Sequence, residues 1–363
     1  MNASHLIISV IIVLCTIVAN NTGLAQKNQQ GLTKLMLAVK QKDRVAVASL
    51  LRFPTSAKVN AGVIYGMTAL MCATAVQAEP STVSAHCQFI RAGEIEAIIG
   101  DGSGFHTRPG VWMLSSRHRP FNAFKTNSSG LLCGEFRGKA STRLEYVDDS
   151  TAALVHEPNE GRQVYARATY RAVSPYYIDH ELTFRDMETY PTLEWGYRDL
   201  VWCCYMNSPD DLGIYFISDG KMVRFSTDGH GVKPYVPPSY LTEDELEKWP
   251  DSDDPCFWWE RSGLKFDQPF YYGRQGEMVM ILIFDQPRWI RFFMSPEGGG
   301  NSLIPGLTST AWDFEYIIPE SEYEVGRDYS VRLRLVYKKY EGDDDVMYEV
   351  RKAQAELGFE TLN

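Results

Sequence analysis

No CxxC pair, no GxSxG, no HExxH and no kinase-type motif set occurs in these 363 residues, so the hydrolase, metalloprotease and kinase signatures are absent. The glycine-rich stretch around His106 (GDGSGFHTRPG) lacks both GxGxxG and a P-loop Lys-Ser/Thr, and no cofactor is expected. Basic charge is also short. The 36 Lys and Arg stand against 46 Asp and Glu, and the net charge of −10 repels nucleic-acid phosphates and anionic membrane surfaces. Nucleic acid is therefore not an expected partner. The cysteines show no regular spacing, which disfavours a zinc site and leaves isolated thiols or one or two disulfides open. The acidic runs Asp251–Asp254 (DSDD) and Glu341–Asp345 (EGDDD) fail the EF-hand spacing, so no metal site is expected and both read as solvated loops.

What is present is apolar and aromatic. An apolar content of 44% with 12% aromatics is ample for a substantial core in a chain of this length. The run Leu6–Ala19 (LIISVIIVLCTIVA) is short for a membrane span, and Gly23-Leu24-Ala25 offers small residues before Gln26. Residues 1–25 thus read as a secretory signal peptide of a secreted or cell-envelope protein, with membrane attachment only if the leader stays uncleaved.

From Glu94 onward the hydrophobic period is two. Runs such as VYARATYRAV from Val164, YYIDHELTFRDM from Tyr176, EMVMILIF from Glu277, WDFEYII from Trp312 and SVRLRLVY from Ser330 are bounded by Gly, Pro, Asp and Asn. More than ten such strands predict a mainly β fold, a large antiparallel β-sandwich over 90–340. Only Glu243–Lys248 and the stretch after Asp343–Asp345, within a tail over 341–363, read as helical.

Ahead of the strands, Gly31-Leu-Thr33-Lys-Leu35-Met36-Leu-Ala38 recurs as Gly66-Met-Thr68-Ala-Leu70-Met71-Cys-Ala73, with the amphipathic run Asp43–Leu51 and Val59-Asn60 between them. This segment, 26–80, resembles ankyrin repeats over about one and a half units. The resemblance implies a helical segment able to pack on the next domain or bind a protein partner. His106-Thr-Arg108-Pro-Gly110-Val-Trp112, Tyr177-Ile-Asp179-His180, Pro269-Phe-Tyr-Tyr272-Gly-Arg274, Ser295-Pro-Glu-Gly298 and Ala311-Trp-Asp313-Phe resemble an uncharacterised family of secreted bacterial proteins of planctomycete type. The long aromatic strands also look like the supersandwich of galactose mutarotases and polysaccharide lyases, which implies a carbohydrate ligand at the level of fold alone.

The candidate site residues follow from the chemistry of sugar recognition, in which aromatic faces stack on a pyranose while Arg or carboxylate groups bond its hydroxyls. Phe257–Asp313 carries that mixture. Trp259, Tyr271, Tyr272 and Trp312 supply rings, and Arg274, Arg291, Glu260 and Asp313 supply charge. His230 stands between two glycines in TDGHGVKPYVPP and is placed to exchange a proton. A mutarotase-like site would pair Glu260 with His230. A lyase-like site would use Tyr272 or His230, with Arg274 or Arg291 neutralising a uronate carboxylate. His180 shares its strand face with Ile178, Leu182 and Phe184, so a core histidine competes there with a ligand contact. The catalytic reading requires His230, Glu260, Tyr272 and Arg274 to converge. A non-catalytic interaction or envelope protein requires only an aromatic strip or a helical groove.

Overall fold

Strict alternation of large apolar and polar side chains can bury one face of a strand, whereas an unbroken apolar run must bury both. Both patterns occur here and together they dictate the layering. The computed structural model describes residues 86–103, 108–125, 128–137, 141–191, 193, 196–207, 209, 211–226, 235–247, 261–295 and 310–360. The leader over 1–25, the ankyrin-like segment over 26–80, His106, His230, Trp259 and Glu260 lie outside the described residues.

Strands β1 (Cys87–Ala92), β2 (Ile95–Asp101) and β3 (Pro109–Ser116) form a three-stranded sheet. They are followed by β4 (Leu132–Cys133), β5 (Thr142–Asp148), β6 (Thr151–His156), β7 (Val164–Val173), β8 (Tyr177–Asp186) and β9 (Tyr197–Cys203). Next come β10 (Ile214–Ser218), β11 (Lys221–Phe225), β12 (Tyr235–Val236), the short helix α1 (Glu243–Leu246), β13 (Phe270–Gln275) and β14 (Met278–Phe284). The chain continues through β15 (Ile290–Ser295), β16 (Ala311–Pro319) and β17 (Tyr329–Lys339), then helix α2 (Asp343–Leu357). A nine-stranded sheet has the order β11-β10-β13-β14-β17-β8-β7-β6-β5, and a five-stranded sheet the order β12-β15-β16-β9-β4. Every pairing between these strands is antiparallel. The described part of the chain is a large antiparallel β-sandwich, as the periodicity predicts.

The sheets face each other across one core. Met280, Leu282 and Phe284 of β14 and Ile178, Leu182 and Phe184 of β8 meet Trp202 of β9, Phe292 of β15, and Trp312, Phe314 and Tyr316 of β16. Each such side chain contributes roughly 1.5–3 kcal/mol by leaving water. The alternate residues of β14, Val279, Ile281 and Ile283, pack with Val346, Val350 and Ala353 of α2 on the opposite face. EMVMILIF therefore departs from the period of two expected of it, and this two-sided burial is the reason. On the far side of the five-stranded sheet, Tyr197, Tyr235, Phe293 and Ile317 gather with Leu246 of α1. The layers are therefore α2, the nine-stranded sheet, the core, the five-stranded sheet and α1.

α1 begins with a capping box between Thr242 and Glu245. α2 opens on three aspartates, which complement its positive end, and closes on Gly358 at φ 66, the left-handed conformation glycine adopts without cost. Cys133, Cys203 and Cys204 are buried thiols rather than disulfides.

Candidate functional site

The side-chain period places β15 and β16 residues alternately on the core and on the outer face of the five-stranded sheet. Phe292, Trp312, Phe314 and Tyr316 point inward, so Arg291, Phe293, Asp313 and Glu315 point outward. Register then brings Arg291 opposite Glu315 and Phe293 opposite Asp313, while Tyr235 of β12 lies opposite Phe293. An outward strand position ordinarily faces water. Here Arg291 is fully buried, Asp313 is 2% exposed and Glu315 3%. A row of ionisable groups removed from water is costly, and such groups cluster where function requires them.

Burial dominates their acid–base behaviour. It pushes the Asp313 carboxyl up to about 7, against the opposing pull of the Cys204 amide, which donates to Oδ1 at 2.8 Å, and of Arg137. Glu315 is likewise pushed to about 7 by burial, although the Arg291 Nε donates to its Oε2 at 2.6 Å; Asp199 adds to the upward shift. Around Asp313 stand Cys203, approached by Arg137 Nη1 at 3.9 Å, and Tyr205, whose ring lies 4.9 Å beneath the Arg108 guanidinium. Burial raises Cys203 to about 12, with Asp313 adding to the effect, and raises Tyr205 to about 12, with Cys203 and then Asp313 adding to it. Burial lowers Lys125, and neighbouring Arg108 lowers it further. The result is a carboxyl that is both donor and acceptor near neutral pH, neighboured by the Arg137 guanidinium and the Tyr205 phenol, with Arg108 over that phenol. No cluster among the described residues could hold a metal ion.

Of the sequence candidates, Arg291 and Asp313 stand on this face. Tyr272 and Arg274 stand on the outer face of the nine-stranded sheet, with the whole sandwich between them and Asp313. There Tyr272 is buried, donates to Asp343 Oδ1 at 2.6 Å and stacks on Tyr215 at 4.9 Å, while the Arg274 guanidinium covers the Tyr340 ring at 4.5 Å. The structure thus does not bring Tyr272 and Arg274 together with Arg291 and Asp313.

Tyr271 and Trp312 fill the core. The Tyr271 hydroxyl donates to the Trp312 carbonyl at 2.8 Å, and the Trp312 indole donates to the Leu212 carbonyl at 3.0 Å. His180 is also in the core. Its Nδ1 meets the Thr169 carbonyl at 3.0 Å and its Nε2 accepts from the Trp202 indole at 3.1 Å, so one neutral tautomer satisfies both nitrogens. Burial lowers its pKa to about 4. These three are packing residues with satisfied polar atoms. Arg108, Arg137, Tyr205 and Glu315 were not singled out by sequence reasoning. Glu315 had a local signal, a carboxyl two residues beyond Asp313 and therefore on the same face of the same strand.

No protein-family model matches the sequence, and no curated protein matches it. Among solved structures, the chain is similar to a protein assigned as an aldose 1-epimerase from Escherichia coli K12, with 9% identity, a TM-score of 0.41 and coverage of 70% of this chain and 99% of that one. It is similar to the heparan sulfate lyase HepC from Pedobacter heparinus, with 8% identity, a TM-score of 0.45 and coverage of 88% of this chain. This chain spans 43% of that lyase. A protein assigned as a mutarotase from Salmonella typhimurium gives 8% identity and a TM-score of 0.35 over 69% of this chain and 90% of its own. At these identities the likeness concerns the course of the chain alone.

Proposed function

We propose that this chain is an exported carbohydrate-processing protein that holds a sugar against the outer face of the five-stranded sheet and exchanges a proton with it through Asp313. The carrying observation is the Asp313 carboxyl itself, buried, raised to about 7 and neighboured by Arg137 and Tyr205, with Arg108 lying over the Tyr205 ring. A carboxyl titrating near neutral pH gives up and regains a proton at nearly equal cost, which is what acid–base catalysis at a sugar hydroxyl or an acidic C–H requires. Guanidinium groups hold hydroxyl or anionic oxygens in place, and the rings of Tyr205, Tyr235 and Phe293 supply apolar area on the same side of the sheet. Export follows from the N-terminal apolar run and its small-residue boundary.

A glycan array on the chain from Gln26 identifies the sugar, and NMR exchange between its anomers, or appearance of an unsaturated product, reads the reaction. Asp313→Asn keeps the shape and removes the titrating proton. The expected outcome is retained binding with turnover reduced about 10²-fold or more, the usual contribution of a positioned acid–base group. Turnover unchanged in Asp313→Asn would discard the role given to this carboxyl.

A further inference from the structure

Lys338 of β17 carries an amine whose side chain is only 9% exposed, and its Nζ meets Asp345 Oδ1 at 2.8 Å. By contrast, Lys265–Glu243, Lys339–Glu277 and Lys352–Glu356 are pairs with exposed glutamates, where such contacts contribute little. Asp345 ends the acidic run Glu341–Asp345 that reads as a solvated loop, yet it lies in the first turn of α2 with its carboxyl turned to β17. Its second oxygen, Oδ2, is enclosed and has no hydrogen-bond partner. Glu349, four residues on, shares that helix face. It is buried, with Oε1 at 3.8 Å from Lys338 Nζ, and its two oxygens accept from the Tyr176 hydroxyl at 2.6 Å and the Tyr177 hydroxyl at 2.8 Å. The Tyr176 ring stands 5.2 Å from Nζ, and the exposed Glu341 approaches it at 3.8 Å.

In water an amine and a carboxylic acid persist as a salt, because each charge is hydrated. Enclosure weakens that hydration and favours the neutral pair, while fixed contact replaces chance collision. Burial pulls the Lys338 amine down, but the Asp345 hydrogen bond and the nearby Tyr176, Asp345 and Glu349 leave it above its ordinary value. The resting pair is therefore ammonium and carboxylate. Reaction starts from its minor neutral form, reached when one proton crosses the contact to Asp345.

We propose that Lys338 and Asp345 condense into an isopeptide bond that ties β17 to α2, with Glu349 carrying the proton. The neutral Nζ adds to Asp345 Cγ, Glu349 takes a proton from the nitrogen and delivers it to the departing hydroxyl, and one water leaves. An N–C bond forms and a C–O bond breaks, with nothing oxidised or reduced. One positive and one negative charge disappear together, so the net charge is unchanged. Cys133, Cys203 and Cys204 being free thiols, this tie is covalent without needing an oxidant. It stands apart from the sugar-binding reading.

The test is mass spectrometry of the full chain, denatured after folding, beside Lys338→Arg, Asp345→Ala and Glu349→Gln. The parent is expected to weigh one water less than its sequence, to lose tryptic cleavage after Lys338, and to give fragment ions that join Lys338 to Asp345. Lys338→Arg and Asp345→Ala should each show their full mass. Glu349→Gln, with its fold checked by circular dichroism, should remain largely unlinked. A parent of full mass, cleaved after Lys338, overturns the proposal and leaves an ordinary ion pair. A water lost while cleavage after Lys338 persists overturns it as well, because the aspartate has then cyclised on its own backbone. An undiminished link in folded Glu349→Gln overturns the role given to Glu349. The parent's own mass decides the bond, so a variant that fails to fold does not leave it open.

Discussion

At the scale of single residues, two demands compete for polar groups in this sandwich, and hydrogen-bond partners separate them. His180, Tyr271 and Trp312 are buried with partners provided, so they serve packing. Arg291 and Asp199 retain enclosed atoms without partners. Gly273 marks the packing limit. A Cβ placed there would stand 2.3 Å from the Trp312 ring, so Gly273→Ala is expected to force that indole aside at a cost of about 1–3 kcal/mol, read as a lower urea midpoint at unchanged slope. A midpoint unaltered by the substitution would show that the Trp312 layer yields freely. Arg198 supplies the charged counterpart. Removing its partner in Asp186→Ala leaves an enclosed guanidinium with Glu135 as its one carboxylate, beside the Asp199 carbonyl, and a loss of about 3–5 kcal/mol is expected by the same measurement.

At the scale of elements, the strands that sequence reveals and those it conceals differ in what covers them. β7 alternates cleanly, with Val164, Ala166, Ala168 and Tyr170 inward, so VYARATYRAV reads directly as a strand. β6 (TAALVH) is buried at every position, and with small alanines it carries neither period. β13 conceals itself differently. FYYGRQ looks like a loop of ligand-binding rings, yet it pairs along its length with β14, sending Tyr271 to the core and Tyr272 towards α2. The site was half legible for a related reason. Arg291 and Asp313 stand out in an aromatic context, but a charged residue at an outward strand position signals a solvated face, and burial of that face depends on contacts distant in sequence. Arg108 and Arg137 come from segments far from β16 and nothing local links them to Asp313.

The same logic makes the α2 interface testable. Glu349 accepts from the Tyr176 hydroxyl at 2.6 Å and the Tyr177 hydroxyl at 2.8 Å, while Lys352 donates to the Tyr177 hydroxyl at 2.9 Å. Glu349→Ala leaves both phenols without that acceptor and is expected to speed amide exchange in α2 selectively, with the core strands protected as before. Uniform loss of protection would mean that α2 and the sandwich open as one unit.

At the scale of the whole molecule, the raised carboxyls couple function to stability. Asp285 is raised to about 6, Asp313 to about 7 and Glu315 to about 7, burial being the largest cause in each. Below roughly pH 3 these groups are protonated folded and unfolded alike, and none opposes folding. As pH rises from there, the unfolded chain releases its protons first, so stability falls until the folded groups ionise near pH 6–7. His180, lowered to about 4, acts in the opposite sense, because below about pH 6.5 the unfolded chain gains a proton that the buried ring refuses. Three groups against one predict a chain more stable at pH 5 than at pH 8, by chemical denaturation at the two pH values. At about 1.4 kcal/mol per pKa unit, Asp313 alone accounts for a few kcal/mol of that difference. Asp313→Asn should therefore be more stable than the parent at pH 8 and less sensitive to pH, while losing turnover. A variant that is both inactive and no more stable at pH 8 would mean that the carboxyl carries no folding penalty, and the argument that such a costly group is kept for chemistry would fall with it.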